Sequence, residues 1–416
     1  MGVPRGTPQP GAGFLPLKGS PDDSRMRTLH VTPEKVQVRD GEVVLRAVYS
    51  GFDLGSKTIE IAVAQAGLPR IPTRNDHFAL IALFPAMQMF DRCVIHGAVS
   101  RTLLENLSEL TTVWQVWRPE KYRLVQWEAD EVVEPSLAGG QRAGHLLAFS
   151  GGVDATVTLK RYTDGGLGWR NRTIKGALLV HGFDIALTDQ ESFQRAGERG
   201  ERITSSVGVP LIRARTNLRE LPNEWTDSFA AMLSGVMQVF NETFEGGVFA
   251  SDEPYAFPKL PWGSNPITNL WLGTERFPIR TDGAEFTRLE KVRLVSTWET
   301  AIKNIRVCWE GNIPGENCGA CEKCVRTLLE LAVCGITPGD NFHTHLSPGK
   351  VLGIQPTNDV QMSYLAEVLE HSEQNNGSAW WAEELRQVVG RGVKIPKRKK
   401  KKRFPFGLFG LGRWNT

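Results

Sequence analysis

Short β-rich runs recur along the middle of the chain, and each one ends in glycine or polar residues. They lie at 146–149, 176–181, 210–215 and 247–250. Helical stretches separate them, at about 155–162, 189–204 and 227–241. Buried strands that alternate with helices are typical of a parallel sheet with right-handed crossovers. The pattern therefore predicts an α/β fold for this part of the chain.

The segment ahead of these runs has a different pattern. It combines two β-rich stretches around turn residues, two apolar stretches at helical spacing and a further strand-like stretch. In chain order these are a hairpin at 41–63, helices at His77–Phe90 and Ser100–Trp117, and a strand at Tyr122–Trp127. We therefore expect residues 30–140 to form an added N-terminal α+β domain.

Both ends of the chain differ in composition from the body. Residues 1–29 are rich in Pro and Gly, which predicts a disordered leader. Helical patterns at about 359–369 and 379–389 predict a helical extension over 341–393. The tail at 394–416 begins with eight basic residues at 394–403, and aromatic residues follow them; its candidate partners are nucleic acid, anionic lipid or an acidic protein surface. The alternative is a disordered tail without a specific partner.

Charge and hydropathy restrict the class of protein. The 416 residues carry a net charge of +3, and subtracting the eight charges at 394–403 leaves −5 for the rest. A mildly acidic body argues against a nucleic-acid-coating surface over the main fold. No apolar run reaches the roughly 18 residues needed to span a bilayer, and the N-terminus has no signal-peptide pattern. We therefore expect a cytoplasmic protein without a transmembrane segment.

The run at 146–149 leads directly into Ser150-Gly151-Gly152-Val153-Asp154 and then into a helix. Glycines without a Cβ let their amides approach an anion, and the helix N-terminus directs its positive end to the same place. Asp154 would repel a phosphate unless a cation such as Mg²⁺ lies between them. The stretch therefore indicates a nucleotide with its metal ion, although Ser-Gly-Gly turns between strand and helix also occur without a ligand.

Polar residues also follow the other predicted strands. They lie at His181–Asp184, Thr216–Arg219 and Ser251–Tyr255. In a parallel sheet these strand ends meet at the edge where ligands bind. Purely structural roles are the alternatives for His181 and Arg219, and Trp262 would either stack on a base or cover the core.

Four of the six cysteines cluster within 17 positions, at Cys308, Cys318, Cys321 and Cys324. Two C-x2-C steps share Cys321, and Gly319 allows the tight turn of a metal-binding knuckle. In a reducing compartment, four thiolates are typical of a closed, tetrahedral structural zinc site. The same spacing occurs in iron–sulfur proteins, so that alternative stays open. Cys93 and Cys334 stand apart and are interpreted as core residues.

Together the two motifs resemble those of one protein family. Phe149–Asp154 is similar to the pyrophosphate (PP) loop of the ATP pyrophosphatases, which adenylate a carboxyl or carbonyl oxygen and release pyrophosphate. The four cysteines resemble the zinc site of one branch, the 7-cyano-7-deazaguanine synthases (QueC-like proteins). The order and separation of the motifs match that branch over about 145–335. The resemblance implies a sheet of the adenine nucleotide alpha hydrolase (HUP) type over 141–340, with a zinc-binding C-terminal part.

The resemblance also implies roles for individual residues. ATP and Mg²⁺ would be bound by Ser150, Gly151, Gly152, Val153 and Asp154, with Ser150 and Asp154 as the catalytic residues. The four cysteines would bind Zn²⁺. One position departs from the family pattern, because Ala155 stands where a serine usually follows the aspartate. One hydroxyl donor is therefore missing at the start of the helix unless Thr156 supplies it.

The implied activity is an ATP-dependent C–N ligation. A carboxylate similar to 7-carboxy-7-deazaguanine would be adenylated with release of pyrophosphate, and ammonia or another amine would then attack. Members of this branch with added regions also resemble proteins of bacterial anti-phage defence systems, in which a protein partner could carry the amine. The alternatives are a non-catalytic nucleotide-binding scaffold and sulfur transfer to RNA. Sulfur transfer would need a catalytic cysteine pair outside the cluster, where Cys93 and Cys334 remain.

Overall fold

The computed structural model of this chain describes residues 26–135, 141–308, 315–374 and 379–393. The basic tail at 394–416 and residues 1–25 of the predicted leader lie outside the described residues. The first strand begins at Thr28, inside the range predicted for the leader.

The described residues form eleven strands and eleven α-helices. The strands are β1 (Thr28–Pro33), β2 (Gln37–Arg39), β3 (Glu42–Gly51), β4 (Gly55–Ala64), β5 (Arg92–Ser100), β6 (Gln126–Val133), β7 (Ala143–Ala148), β8 (Ile174–His181), β9 (Leu211–Thr216), β10 (Phe244–Ala250) and β11 (Ile279–Asp282). The helices are α1 (Asp76–Met89), α2 (Arg101–Trp117), α3 (Val153–Asp164), α4 (Gln190–Ser205), α5 (Trp225–Gln238), α6 (Arg288–Ser296), α7 (Glu299–Ile302), α8 (Glu322–Val333), α9 (Pro348–Leu352), α10 (Asp359–Gln374) and α11 (Ala382–Arg391). None of the helices in the described ranges is long and apolar enough to cross a membrane.

The strands form one sheet in the order β11-β10-β7-β8-β9-β4-β3-β1-β5-β6, and β2 pairs with β3 beside this path. Strands β7 to β11 are all parallel to their neighbours within that group, as are β1, β5 and β6 within theirs. The antiparallel pairs are those of β3 with β1, β2 and β4, and that of β4 with β9. The predicted α/β class with a mostly parallel sheet is therefore confirmed.

Strand β7, which precedes Ser150, occupies the turning point of the strand order. After β7 the chain moves outward on one side to β8 and β9, and it then returns through α5 to β10 on the other side of β7. At such a point the loops that follow the two central strands leave in opposite directions and open a crevice at the carboxyl end of the sheet. The loop at 149–152 therefore lies where a doubly wound sheet binds its ligands.

Successive residues of β7 are buried on opposite faces of the sheet. Leu146 belongs to the core that contains α1, α2 and α5, and Leu147 belongs to the core that contains α3, α4 and α6. Both side chains are fully buried. Burial on both faces explains why this strand is a continuous apolar run in the sequence.

The N-terminal strands join the parallel strands through the antiparallel pair β4–β9. Ile61, Ala62 and Val63 of β4 are opposite Thr216, Arg215 and Ala214 of β9, respectively. The domain boundary predicted near residue 140 falls between β6 and β7, which are strands of this one sheet. The same hydrophobic core contains residues from both sides of that boundary.

The predicted elements of the N-terminal segment are mostly confirmed. The hairpin corresponds to β3 and β4, and the two helices correspond to α1 and α2. The strand predicted at Tyr122–Trp127 is wrong in position, because β6 begins only at Gln126. The Tyr122 side chain enters the core instead, where its hydroxyl donates a hydrogen bond to Asp227 Oδ2 at 2.8 Å.

The C-terminal extension packs against the part of the chain that carries the cysteine cluster. Val325 and Leu329 of α8 form an apolar cluster with Leu365 of α10 and Leu385 of α11. All four side chains are fully buried. Helix α10 is thereby held next to the carboxyl edge of the parallel strands.

Candidate functional site

The glycine loop connects the end of β7 to the start of α3. Gly151 has a φ of +76°, in the left-handed region that favours glycine. The Gly152 amide donates to Ser150 Oγ at 3.3 Å, and α3 begins at the next residue. Amides in the first turn of a helix have no partner within the helix and are suited to binding an anion. The loop therefore has the geometry of an oxyanion site.

Two cations of helix α6 hold the carboxylate of Asp154. Arg288 Nη1 lies 2.9 Å from Asp154 Oδ2, and Lys291 Nζ lies 3.1 Å from Oδ1. Burial alone would raise the pKa of Asp154, but Lys291 and Arg288 lower it to about 2. Asp154 therefore stays ionised, and the same two cations add positive charge beside the loop. Both residues lie more than 130 positions after Asp154, and their own segment of the sequence has no pattern that indicates them.

The start of α3 lacks the hydroxyl that the family pattern supplies. Ala155 is buried and lines a cavity beside the loop. The Thr156 hydroxyl donates to the Gly152 carbonyl oxygen at 2.7 Å, and Thr156 is fully buried. This hydroxyl is therefore used within the helix and does not replace the missing donor.

A first, mostly apolar cavity of about 270 Å³ lies at the carboxyl ends of β7, β8 and β10. Aromatic and aliphatic side chains form much of its wall, including those of Phe149, Val180, Phe183, Trp225, Phe229 and Phe249. The volume and the flat aromatic groups are suited to a planar heterocycle such as a nucleobase.

A second, more polar cavity of about 370 Å³ lies on the other side of the loop. The two cavities share Ser150, Asp154, Asp184, Asp252 and Arg306 in their walls. The rest of the second cavity includes charged side chains of both signs: Glu253, Lys259, Arg288, Glu322, Lys323 and Arg326. The loop is thus the place where an apolar and a charged cavity meet.

Glu253 is a buried carboxyl in the wall of the second cavity. Burial, followed by the neighbouring Asp252 carboxylate, raises the pKa of Glu253 to about 7. The hydroxyl of Tyr364 lies 3.4 Å from Glu253 Oε2, and the Arg326 guanidinium lies 4.7 Å from the centre of the Tyr364 ring. Tyr364 belongs to α10, so the C-terminal extension contributes directly to this cavity. The sequence pattern placed α10 but carried no signal for this contact.

The four predicted cysteines are brought together as a cluster. Their sulfur atoms all lie within 4.8 Å of one another, with Cys308 Sγ 3.5 Å from Cys318 Sγ and 3.8 Å from Cys321 Sγ. Sulfurs bound tetrahedrally to zinc at about 2.3 Å would be about 3.8 Å apart. The cluster therefore fits a metal ion such as zinc.

The backbone around the cluster has the turn expected of a metal-binding knuckle. The amides of Ala320 and Cys321 donate to Cys318 Sγ at 3.4 and 3.3 Å. Gly319 has a φ of +67°, and a Cβ atom there would lie 2.2 Å from Thr344 Oγ1. Any residue larger than glycine would therefore clash at this turn.

The remaining predicted residues have varied roles. His181 is buried, its ring stacks on Phe193 at 4.2 Å between centroids, and its Nε2 lies 2.8 Å from the Ala186 carbonyl oxygen. The Arg219 guanidinium lies 4.1 Å from the centre of the Trp225 ring. These contacts give both residues structural roles. Trp262 lines the second cavity and donates from Nε1 to Asp252 Oδ2 at 2.7 Å, which orients that carboxylate.

No family model, no curated protein and no solved structure matches the chain. The resemblance to the ATP pyrophosphatases therefore rests on the loop and the cysteines themselves.

Proposed function

We propose that this protein is a QueC-like, ATP-dependent C–N ligase that adenylates a small carboxylate and releases pyrophosphate. The observation that carries the proposal is the position of the glycine loop, at the turning point of the parallel strands and between two cavities of different polarity. Strand order β9-β8-β7-β10-β11 is that of a doubly wound nucleotide-binding sheet. This order supports the HUP type of fold.

The two cavities suggest separate binding sites for the two substrates. The apolar cavity would take the adenine ring, and the loop would bind the phosphates through Ser150, Gly151, Gly152 and the first amides of α3, beginning at Val153. The charged cavity would take the carboxylate substrate, of which 7-carboxy-7-deazaguanine is the example implied by the resemblance. Asp154 and Asp252 line both cavities and offer the oxygen ligands that Mg²⁺ prefers. Magnesium, when bound, would offset the negative charge of the phosphates.

The proposed reaction has two steps. A carboxylate oxygen attacks the α-phosphorus of ATP, and the bond to the β-phosphate oxygen breaks so that pyrophosphate leaves. An amine then attacks the activated carbonyl carbon and AMP leaves. Glu253 is suited to take the proton of the amine, because it lines the charged cavity and its pKa is about 7. Arg288, which lines the charged cavity, would stabilise the charge that develops on the phosphates, and Lys291 would hold the Asp154 carboxylate in position.

The cysteine cluster has a structural role in this proposal. Four thiolates would fill all positions of a zinc ion, so no position is left for substrate. We place the protein in a reducing compartment such as the cytoplasm, where clustered thiolates bind a metal ion rather than oxidise to disulfides.

The test is pyrophosphate release with ATP, Mg²⁺, 7-carboxy-7-deazaguanine and ammonia. Asp154→Asn should lower the rate by about 100-fold or more, because it removes a carboxylate ligand of the magnesium ion that offsets the charge of the reacting phosphates. Asp164→Asn is the matched control, since Asp164 lies at the far end of the same helix and pairs with Lys160 at the surface. Equal rates for the two variants would contradict the assigned role of Asp154. A protein partner that carries an amine can replace ammonia in a parallel reaction.

A second candidate function is a non-catalytic nucleotide-binding scaffold. Ala155 and the engaged Thr156 hydroxyl favour it, because the start of α3 has one phosphate donor fewer than the family pattern. The same assay separates the two candidates. A scaffold would bind ATP and release no pyrophosphate with any carboxylate or amine.

A further inference from the structure

One short segment joins the glycine loop to the cysteine cluster. The Arg306 amide donates to the Gly151 carbonyl oxygen at 2.8 Å, and the Arg306 carbonyl oxygen lies close to Gly152. Two residues later the chain reaches Cys308. The main chain of residues 305–308 therefore contacts both sites.

The Arg306 side chain lies between the same two sites. Its guanidinium donates from Nη1 to the Cys308 carbonyl oxygen at 3.0 Å. Its Nε is buried and has no hydrogen-bond partner among the described residues. Arg306 also lines both cavities beside Ser150. A guanidinium held against a glycine loop, with donors still to be satisfied, is suited to binding a phosphate group.

Two buried asparagines fix the segment that carries Arg306. Asn317 accepts from the amides of Val307 and Cys308 at 2.8 and 3.2 Å and donates to the Ile305 carbonyl oxygen at 2.9 Å. Asn341 donates to the same Ile305 oxygen at 3.0 Å. Because Asn317 immediately precedes Cys318, a metal ion bound by the cluster would fix Asn317 and, through its hydrogen bonds, the segment that carries Arg306.

We propose that Arg306 binds the nucleotide phosphates and that the metal centre sets its position, so that the metal ion and the nucleotide strengthen each other's binding. The proposal rests on the nucleotide binding proposed above. It assigns to the cysteine cluster a role beyond holding the fold together. Thermodynamic linkage requires that the coupling be reciprocal, with the same factor in both directions.

The reciprocal measurement is made on the full chain. Zinc affinity is determined by competition with a chromophoric chelator, with and without saturating Mg²⁺–ATP. We expect ATP to tighten zinc binding by about 5- to 100-fold. In the other direction, zinc removal should weaken the binding of a fluorescent ATP analogue by the same factor. Far-UV circular dichroism checks that the zinc-free protein is still folded.

An Arg306→Gln variant tests the assigned residue. It should keep its zinc but bind ATP about 10- to 100-fold more weakly, since a charged hydrogen bond to phosphate is lost. Its coupling factor should fall to about 1. Arg172→Gln is the matched control, because Arg172 likewise donates to carbonyl oxygens of its own turn, those of Trp169 and Asn171, and lines neither cavity.

The outcomes separate this proposal from the proposed function. If the wild-type protein binds ATP but its zinc affinity is the same with and without ATP, the coupling is wrong and nucleotide binding stands. Undiminished ATP affinity in Arg306→Gln would remove the phosphate role of Arg306. If the zinc-loaded wild-type protein binds no ATP at all, the proposed function and this proposal both fail.

Discussion

Helices cover the two halves of the sheet, β1–β6 and β7–β11, in different ways. The N-terminal half contributes mainly to stability, whereas the second half carries the candidate site. Strands β7 to β11 are packed between helices on both faces and carry two cavities at their carboxyl ends. In the N-terminal half, helices α1 and α2 pack on one face, while polar residues such as His30 and Thr32 are exposed on the other. Parallel strands gather their polar ends at one edge, whereas the antiparallel β3–β4 hairpin sends neighbouring ends in opposite directions.

Charged residues of β3 and β4, on the open face of the N-terminal half, pair with one another and with Arg215 of β9. Glu60 accepts from Arg46 Nε at 2.7 Å and from Arg215 Nη1 at 2.6 Å. Arg215 also donates from Nη2 to Glu42 at 2.8 Å. These ion pairs cross from β3 to β4 to β9 and are satisfied within the sheet. At the candidate site, Arg288 pairs with Asp154 and also lines the second cavity beside the glycine loop, where a ligand can reach it.

The largest effect should come from the metal centre. Cys321→Ser should abolish stoichiometric zinc binding and lower the free energy of unfolding by more than about 5 kcal/mol, since zinc binding to such sites is worth about 10–16 kcal/mol in small domains. Cys334→Ser is the matched control at the end of α8, outside the cluster. Zinc content by atomic absorption and urea unfolding provide the readouts. Retained zinc in Cys321→Ser would show that the cluster is not a four-thiolate site.

A core substitution in the N-terminal half should affect stability alone. Phe84 is buried and makes edge-to-face contacts with Trp114 and Tyr122, at 5.0 and 5.5 Å between ring centroids. Phe84→Ala should lower the free energy of unfolding by about 3–5 kcal/mol. Under native conditions, zinc content and ATP affinity should stay at wild-type values. A loss of either would contradict the separation of the two halves.

The N-terminal half should also make stability depend on pH. Burial lowers the pKa of His77 from 6.5 to about 3 in the folded protein. Between these values the unfolded chain binds a proton that the folded chain does not. The contribution of His77 to the free energy of unfolding is therefore fully present above about pH 6.5. It falls by up to about 1.4 kcal/mol per pH unit as the pH is lowered toward 3. In His77→Leu, urea unfolding between pH 4 and 7 should show a shallower slope, and an unchanged slope would refute this assignment.

The smallest effect should appear in activity without a change in stability. Ala155→Ser restores a hydroxyl at the start of α3, where the Thr156 hydroxyl is already bonded to Gly152. A new hydrogen bond to phosphate should raise the rate of pyrophosphate release by about tenfold. Ala148→Ser is a matched control, because Ala148 lines the same cavity but precedes the loop. A rate that does not change would indicate that the missing hydroxyl is not what limits the reaction.

The elements that could be predicted from the sequence are those whose own residues show a clear pattern of burial or a clear turn. Strands β7, β8 and β10 are apolar because both of their faces are buried, and the hairpin β3–β4 is marked by its turn. The sequence pattern does not indicate strands β1 and β5. In β5 the pairing with β6 shifts between Ile95 and Ala98, where Gly97 has a φ of +113°, and this bulge breaks the alternation that marks a strand.

The same distinction holds for the candidate site. The loop and the cysteines could be found because their chemistry depends on spacing over a few residues. Arg288, Lys291 and Tyr364 could not, because each reaches the site from a helix far along the chain, and their own segments have no unusual pattern. Only packing against α3 or the strand ends gives these residues a role.

The β4–β9 pair has a consequence for how the chain folds as it is made. Ile61 and Thr216 are opposite each other in the sheet although about 150 residues separate them. During synthesis from the N-terminus, the backbone N–H and C=O groups on one edge of β4 cannot pair until β9 has left the ribosome. Closing so long a loop is slow, and an unpaired strand edge can bind other chains in the meantime. The β4–β9 pair, which joins the two halves into one sheet, should therefore be among the last to form. The time during which the edge of β4 stays unpaired should limit the yield of folded protein.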